Sequence, residues 1–212
     1  MSQITEAAIE SLHEPNHARA ARYLQNWRYY MNRQYAESRR GLYAKMRAVF
    51  NQITQIVDSD ARFLMGERLQ VKAAPEIEAA INRLWEDSDL QQEKYLLARY
   101  GATCGDAFIK VVDNRAWELN PEPIDGAAVR LVVLPPEAVT PAYHPHDRKQ
   151  LVACKIEYLA GGAGDNSPTH KEIWTADEVL LYDPQHPRKI RARYPNPHGF
   201  VPVVHIRNLD IG

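Results

Sequence analysis

Apolar residues recur at three- and four-residue steps through the first hundred positions and at alternate positions through much of the rest. That change of period predicts helices followed by strands. Over residues 17–31 the stripe is Ala20, Tyr23, Leu24, Trp27, Tyr30 and Met31, with arginines opposite it and Asn16 placed as N-cap. Residues 42–64 repeat the pattern through Met46, Val49, Phe50, Ile53, Ile56, Val57, Ala61 and Leu64, and Gly66 stands where a left-handed C-cap belongs. Residues 69–73 alternate like a short strand. Pro75 then opens a helix carrying Ile77, Ala80, Ile81, Leu84 and Trp85, and Asp89 caps another through Leu90, Leu97 and Tyr100 that Gly101 ends.

Beyond Gly105 the alternation predicts strands over residues 107–112, 129–134, 151–159, 171–174, 178–182, 190–194 and 201–206, parted by turns rich in Pro, Gly, Asp and Asn. The fold class is therefore α+β, with N-terminal helices over residues 1–104 and a mostly antiparallel mixed sheet over residues 105–212.

Composition narrows the class without changing this picture. At 45% hydrophobic and 25% charged, the 212 residues exclude a disordered, collagenous or low-complexity chain. No apolar run approaches the roughly 20 residues that span a bilayer, and Met1 to Glu14 lacks the basic start and apolar stretch of a secretory signal, so a cytoplasmic chain without a membrane partner is expected. Cys104 and Cys154 have no second pair beside them, which points to reduced, half-buried residues rather than a disulfide scaffold or a thiolate zinc site.

Charge does change the picture. The total is −1, yet Pro15 to Phe50 holds Arg19, Arg22, Arg28, Arg33, Arg39, Arg40, Lys45 and Arg47 against Glu37 alone, a net +7 that leaves −8 for the remainder. Tyr23, Trp27, Tyr29, Tyr30, Tyr35 and Tyr43 are interleaved with these cations, a pattern able to track phosphates and stack on bases. The same spacing also suits an amphipathic helix whose aromatics pack inward and whose arginines are solvated or meet a neighbouring subunit. Arg28, Arg33, Arg39, Arg40, Lys45 and Arg47 are thus candidate contacts for DNA or a protein partner.

For catalysis the sequence offers little. His144, His146 and Asp147 stand together in a turn, with His198 and His205 later, and such ligand types could serve a metal-dependent phosphoesterase or nuclease. Adjacent residues of a proline turn need not converge, however, and no HExxH occurs. Asp58 and Asp60, like Asp87 and Asp89, are two apart and would point to different faces of a helix, which suits surface and capping roles better than paired acid–base work. The Gly161–Gly162–Ala163–Gly164–Asp165–Asn166 run lies between two predicted strands and lacks the following helix that a phosphate-binding loop needs, so it reads as a hairpin tip. No nucleophile elbow, Walker loop or dinucleotide fingerprint is present, and no cofactor is implied.

A series of short phrases carries more. Tyr29-Tyr30 closes an Arg- and Tyr-rich helix; Asn51 is followed by Ile56-Val57-Asp58 and Arg62-Phe63-Leu64-Met65-Gly66-Glu67; then come Tyr100-Gly101 and Gly105-Asp106-Ala107-Phe108-Ile109-Lys110-Val111. Val133-Leu134-Pro135-Pro136-Glu137-Ala138-Val139-Thr140-Pro141 with Tyr143 and Asp147 follows, and His198-Gly199-Phe200-Val201-Pro202-Val203-Val204 with Asn208 closes the series. In this order the phrases resemble the portal proteins of tailed bacteriophages, the head-to-tail connectors of the long-tailed type. One departure is Met31-Asn32 after the tyrosine pair, where many relatives carry a glycine.

The resemblance implies a structural subunit without catalytic residues. Members form a dodecameric ring at one capsid vertex, through which a terminase drives double-stranded DNA and to which head-completion proteins and the tail attach. The chain is similar to the wing alone, a fragment without stem, clip and crown. The implied partners are other portal subunits, capsid and scaffold proteins, terminase and head-completion proteins through the missing regions, and double-stranded DNA. The implied locations are the virion's portal vertex and, during assembly, the host cytoplasm. Within that frame Asn51, Asp58, Gly66, Gly101, Gly105, Pro141, Gly199 and Pro202 are fold residues. Gly66 and Gly101 suit helix ends, the three prolines after Leu134 suit an extended crossing, and Asn51 and Asp58 share a helix face from which they could reach sheet backbone, local capping or solvent.

Overall fold

Among the described residues the chain forms five α-helices, α1 Gln3–His13, α2 His17–Tyr30, α3 Ile53–Met65, α4 Pro75–Asp87 and α5 Leu90–Cys104. A computed structural model describes residues 3–13, 17–33, 52–67, 71–113, 129–160 and 167–207. Asn16, residues 42–51 of the second expected helix and the 161–166 glycine run lie outside the described residues. Helix α1 is an element that the sequence reading leaves out. Its buried positions, Thr5, Ala8 and Leu12, do step by three and four, but two of them are small or polar, so the stripe is faint.

Helix α2 buries Tyr23, while Leu24 and Met31 are 55% and 52% exposed, so the expected stripe turns only partly inward. Its end explains the missing glycine. The Arg33 amide bonds the Arg28 carbonyl at 2.7 Å and the Asn32 amide bonds the Tyr29 carbonyl at 3.1 Å, a Schellman closure with Asn32 in the left-handed position at φ 57°. Asparagine is the side chain that best tolerates that conformation after glycine.

Of three expected helix ends, Gly66 and Asp89 stand at the C-cap of α3 and the N-cap of α5 but in other conformations than expected, and Gly101 is displaced. Gly66 is right-handed (φ −61°), and a Cβ there would lie 2.7 Å from the Arg62 carbonyl oxygen, so close approach and not handedness makes it glycine. Gly101 does not end α5, which continues to Cys104 and closes on Gly105 at φ +80°. Asp89 precedes α5 in the left-handed region at φ 49° without a side-chain cap; its carbonyl receives the Gln92 and Glu93 amides instead. Of the expected strand 69–73, residues 69 and 70 lie outside the described residues and 71–73 belong to no strand.

Among the described residues eight strands follow: β1 Asp106–Asp113, β2 Val129–Leu134, β3 Val139–His144, β4 Asp147–Leu159, β5 Thr169–Thr175, β6 Glu178–Tyr182, β7 Ile190–Pro195 and β8 Val203–Arg207. The fold is α+β as expected, but the strands form two sheets rather than one mixed sheet, in the orders β2-β1-β8 and β3-β4-β5-β6-β7. Every pairing among them is antiparallel. Prolines hid β3: Pro135 is extended, residues Pro136–Ala138 form a 3-10 turn, and Pro141 then sits within a strand. Strand β3 is the edge of its sheet, where a missing amide hydrogen leaves one ladder intact.

The five-stranded sheet has a core on each face, because its side chains alternate in direction. Cys154, Ile156, Trp174 and Val179 meet Phe108, Leu134 and Val203 of the three-stranded sheet. From the opposite face Ala153, Ile173, Leu180 and Tyr182 meet Ala8 and Leu12 of α1. The other face of the three-stranded sheet packs against α5, on which α2 and α3 rest.

Candidate functional site

Gly105 lets the chain leave α5 and enter β1 at once, and this places Asp106 where helices and both sheets meet. His205, on the neighbouring strand β8, lies with Nε2 2.7 Å from Asp106 Oδ1. The Tyr23 hydroxyl of α2 donates to Oδ2, and Arg22 stands 3.7 Å from the same oxygen. His205 also shares a hydrogen bond through Nδ1 with the Tyr143 hydroxyl of β3, while its ring stacks on Phe108 at 4.2 Å between centroids. Arg19 donates from Nε to Tyr23 Oη at 2.7 Å and from Nη1 to the Val139 carbonyl at 2.9 Å. One network thus ties α2 to β1, β3 and β8.

Its electrostatics are those of a fastening. Burial alone would raise the Asp106 pKa, but hydrogen bonds from His205 and Tyr23 outweigh it and hold the carboxyl at about 2. Burial, reinforced by Asp106, pushes the Tyr23 phenol up to about 12. Both ring nitrogens of His205 are engaged and both Asp106 oxygens are bonded, so proton donors and acceptors are satisfied by the fold itself. Cys104 nearby is fully rather than half buried, and burial first, then Glu137 and Asp106, drives its thiol up to about 12; Cys154, 0% exposed, behaves alike. Neither thiol is a nucleophile at neutral pH.

The residues of the metal alternative are not brought together. His144 ends β3, Pro145 and His146 form the turn, and Asp147 opens β4, where its carboxylate accepts the Lys149 amide at 2.8 Å and the His146 amide bonds His144 Nδ1 at 3.2 Å. His205 is committed to Asp106 and Tyr143. Among the described residues no group of three or more His, Cys, Asp or Glu side chains is assembled as a metal site.

Of the basic candidates, Arg39, Arg40, Lys45 and Arg47 lie outside the described residues, as does Asn51. Arg28 and Arg33 line an open groove of about 630 Å³ between α2 and α5, with Trp27, Tyr30, Arg99 and Tyr100. Asp58 reaches neither sheet backbone nor a cap: it accepts from the Tyr30 hydroxyl at 2.8 Å and from Arg99 Nε at 3.2 Å, tying α3 to α2 and α5. Gly199 (φ +69°) lies in the turn leading to β8; the buried Asn196 side chain binds that turn through the Phe200 carbonyl at 2.8 Å. The Pro202 carbonyl accepts the Val111 amide at 2.8 Å, which steers β8 onto β1.

Sequence reasoning found Asp106, Tyr143 and His205 only as members of phrases or as stray histidines. They meet across separations of 62 to 99 residues, beyond any local period. The one local signal is a polar residue opening a strand directly after a helix-closing glycine.

Among the described residues no helix is long and apolar enough to cross a membrane. A family model described as "Phage portal protein, SPP1 Gp6-like" matches residues 10–210. No curated protein matches the chain.

Proposed function

The chain belongs to the family of phage portal proteins of the SPP1 Gp6-like type, and on that premise we propose that it is a structural, non-enzymatic subunit of a portal ring at the capsid vertex, contributing the wing. In this role it supports DNA packaging, capsid assembly and head–tail joining, next to other portal subunits, capsid and scaffold proteins, terminase and double-stranded DNA. The observation that carries the reading is the family match over residues 10–210. The chemistry of the site agrees with it: the polar groups gathered around Asp106 bond one another and join elements, as a load-sharing subunit needs. Exposed apolar side chains on α3, with Phe63 at 89% and Leu64 at 71%, are surface of the kind that assembly covers.

Electron microscopy and sedimentation of the purified chain test the role. Ring- or arc-shaped particles of repeated subunits are expected, and a single monomeric species at every concentration would overturn it. Duplex binding is tested separately. If the basic segment contacts phosphates, the dependence of affinity on salt becomes shallower when Arg39 and Arg40 become alanine, by roughly one unit of slope per lost contact. An unchanged slope removes DNA from the partners of that segment.

A further inference from the structure

We propose that the part of the five-stranded sheet made by β5, the β6–β7 turn and the edge strand β7 binds the backbone phosphates of double-stranded DNA through Lys171, Arg188, Lys189 and Arg191. The proposal rests on the portal reading for its choice of DNA and gives that DNA a surface other than the basic segment near the N-terminus.

Lys171 is the unusual member. It lies on β5, an interior strand, and is only 8% exposed, with its stem buried and its Nζ 4.5 Å from the centre of the Tyr182 ring. Among the described residues it makes no hydrogen bond or ion pair. Glu157 stands opposite it in the β4–β5 register, but that carboxylate pairs with Lys155 at 3.1 Å. Burial above all lowers the Lys171 pKa; Glu157 opposes the shift, and Lys155 and Arg188 add to it. An ammonium held among other cations lacks a counter-charge, which a phosphate supplies.

The cations beside it follow one another along the chain. Residues 183–195 carry Arg188, Lys189, Arg191 and Arg193 against Asp183 alone, and all four cations are exposed. Among the described residues Arg193 is the one with an ion pair, to Glu178 at 3.8 Å. The Asp183 carboxylate accepts the Gln185 and His186 amides at 2.8 and 3.2 Å. Arg191 stands where the β6–β7 register slips, between the pairs Leu181–Ala192 and Tyr182–Ile190, and such a bulge turns a side chain out of the regular ladder. Strand β7 is an edge, so its outer amides are further donors to phosphate. Charge on an edge also discourages pairing with another sheet, a role that accounts for Arg191 but not for Lys171 on an interior strand. A row of cations and amides suits a row of phosphates, whereas one carboxylate would meet only part of it.

Duplex binding by the full chain over a range of salt concentrations tests this. Arg188→Ala with Arg191→Ala makes the dependence of log affinity on log salt shallower by about two units, and Lys171→Gln by about one, alike on duplexes of unrelated sequence. Arg188 and Arg191 are exposed, so their replacement leaves the core intact. For Lys171, whose replacement alters packing, the unaltered chain gives a second readout: the NMR signal of the methylene next to Nζ moves, and its titration midpoint rises, when duplex is added. A Lys171 signal that does not respond, an unchanged slope in the arginine pair, or a slope that responds only to Arg39→Ala with Arg40→Ala overturns the proposal, as does a chain that binds no duplex. Assembly lost in the arginine pair with duplex binding untouched gives the surface to a neighbouring subunit and overturns it too. Rings seen by electron microscopy alongside any of these failures leave the portal role standing.

Discussion

Asp106 shows how much one carboxylate can hold. Three elements besides its own strand reach it directly or through one intermediary, and its pKa of about 2 lies below the ordinary carboxyl value of 3.8. A carboxyl with a depressed folded-state pKa binds its proton more weakly when folded than when unfolded. The stability it contributes is therefore complete above about pH 4 and drains away as the pH falls through about 2. A depression of that size corresponds to about 2 to 3 kcal/mol at neutral pH. Asp106→Asn should cost about that much at pH 7 and progressively less towards pH 2, where wild type and variant converge. Urea midpoints measured at several pH values between 2 and 7 check this; a constant gap across the range would mean that charge at Asp106 is irrelevant and only its shape counts.

Helix ends separate what is legible in sequence from what is not. A glycine among polar residues marks a stop, but Tyr100-Gly101 and Cys104-Gly105 both qualify, and only packing decides between them. In the structure Gly101 is interior to α5 with nothing within 4 Å of where a Cβ would be, whereas Gly105 is left-handed. Gly101→Ala should then stabilise the protein by about 0.5 to 1 kcal/mol through the unfolded chain, and Gly105→Ala should destabilise it by about 1 to 2 kcal/mol through strain. Thermal midpoints moving in opposite directions are the expected result; equal signs would restore Gly101 as the helix end. The helices α2 to α5 and seven of the eight strands were legible because their apolar side chains follow the local period. Helix α1 was not, since its buried Thr5 and Ala8 contribute little hydrophobic signal and its docking depends on a sheet formed 130 residues and more downstream. Strand β3 was not, because Pro141 is compatible with a strand only at an edge, and edges are a property of the assembled sheet. The Asp106 network escaped for the same reason: its register, with Phe108 opposite His205, exists only after β8 has returned to β1.

At the scale of the whole molecule the two sheets must choose how to face each other, and apolar surfaces alone are poor at choosing. Apolar burial is non-directional, so Phe108, Leu134, Ile156 and Trp174 hold the sheets together without by themselves fixing the register between them. Lys110 of β1 and Glu172 of β5 restrict the choice: they form a direct ion pair across the intersheet space, with side chains 15% and 6% exposed, and Lys110 Nζ stands 4.8 Å from the Trp174 ring. Burial would raise the Glu172 pKa, but Lys110 and then His170 overcome it and hold the carboxyl at about 2. A slid arrangement would leave Lys110 buried without a carboxylate and Glu172 with His170 alone, a penalty larger than a small difference in apolar contact. Such a pair specifies an arrangement more than it strengthens one. Glu172→Leu alone should therefore cost about 3 to 5 kcal/mol by stranding Lys110, while Lys110→Met with Glu172→Leu should return to within about 1 to 2 kcal/mol of wild type. Chemical denaturation of the four proteins completes the cycle, and near-ultraviolet circular dichroism reports whether the surroundings of Trp174 keep a single arrangement. A double variant as unstable as the single one would mean that the pair contributes net stability; a stable double variant with a blurred aromatic signal is the outcome expected if the charges fix how the sheets meet.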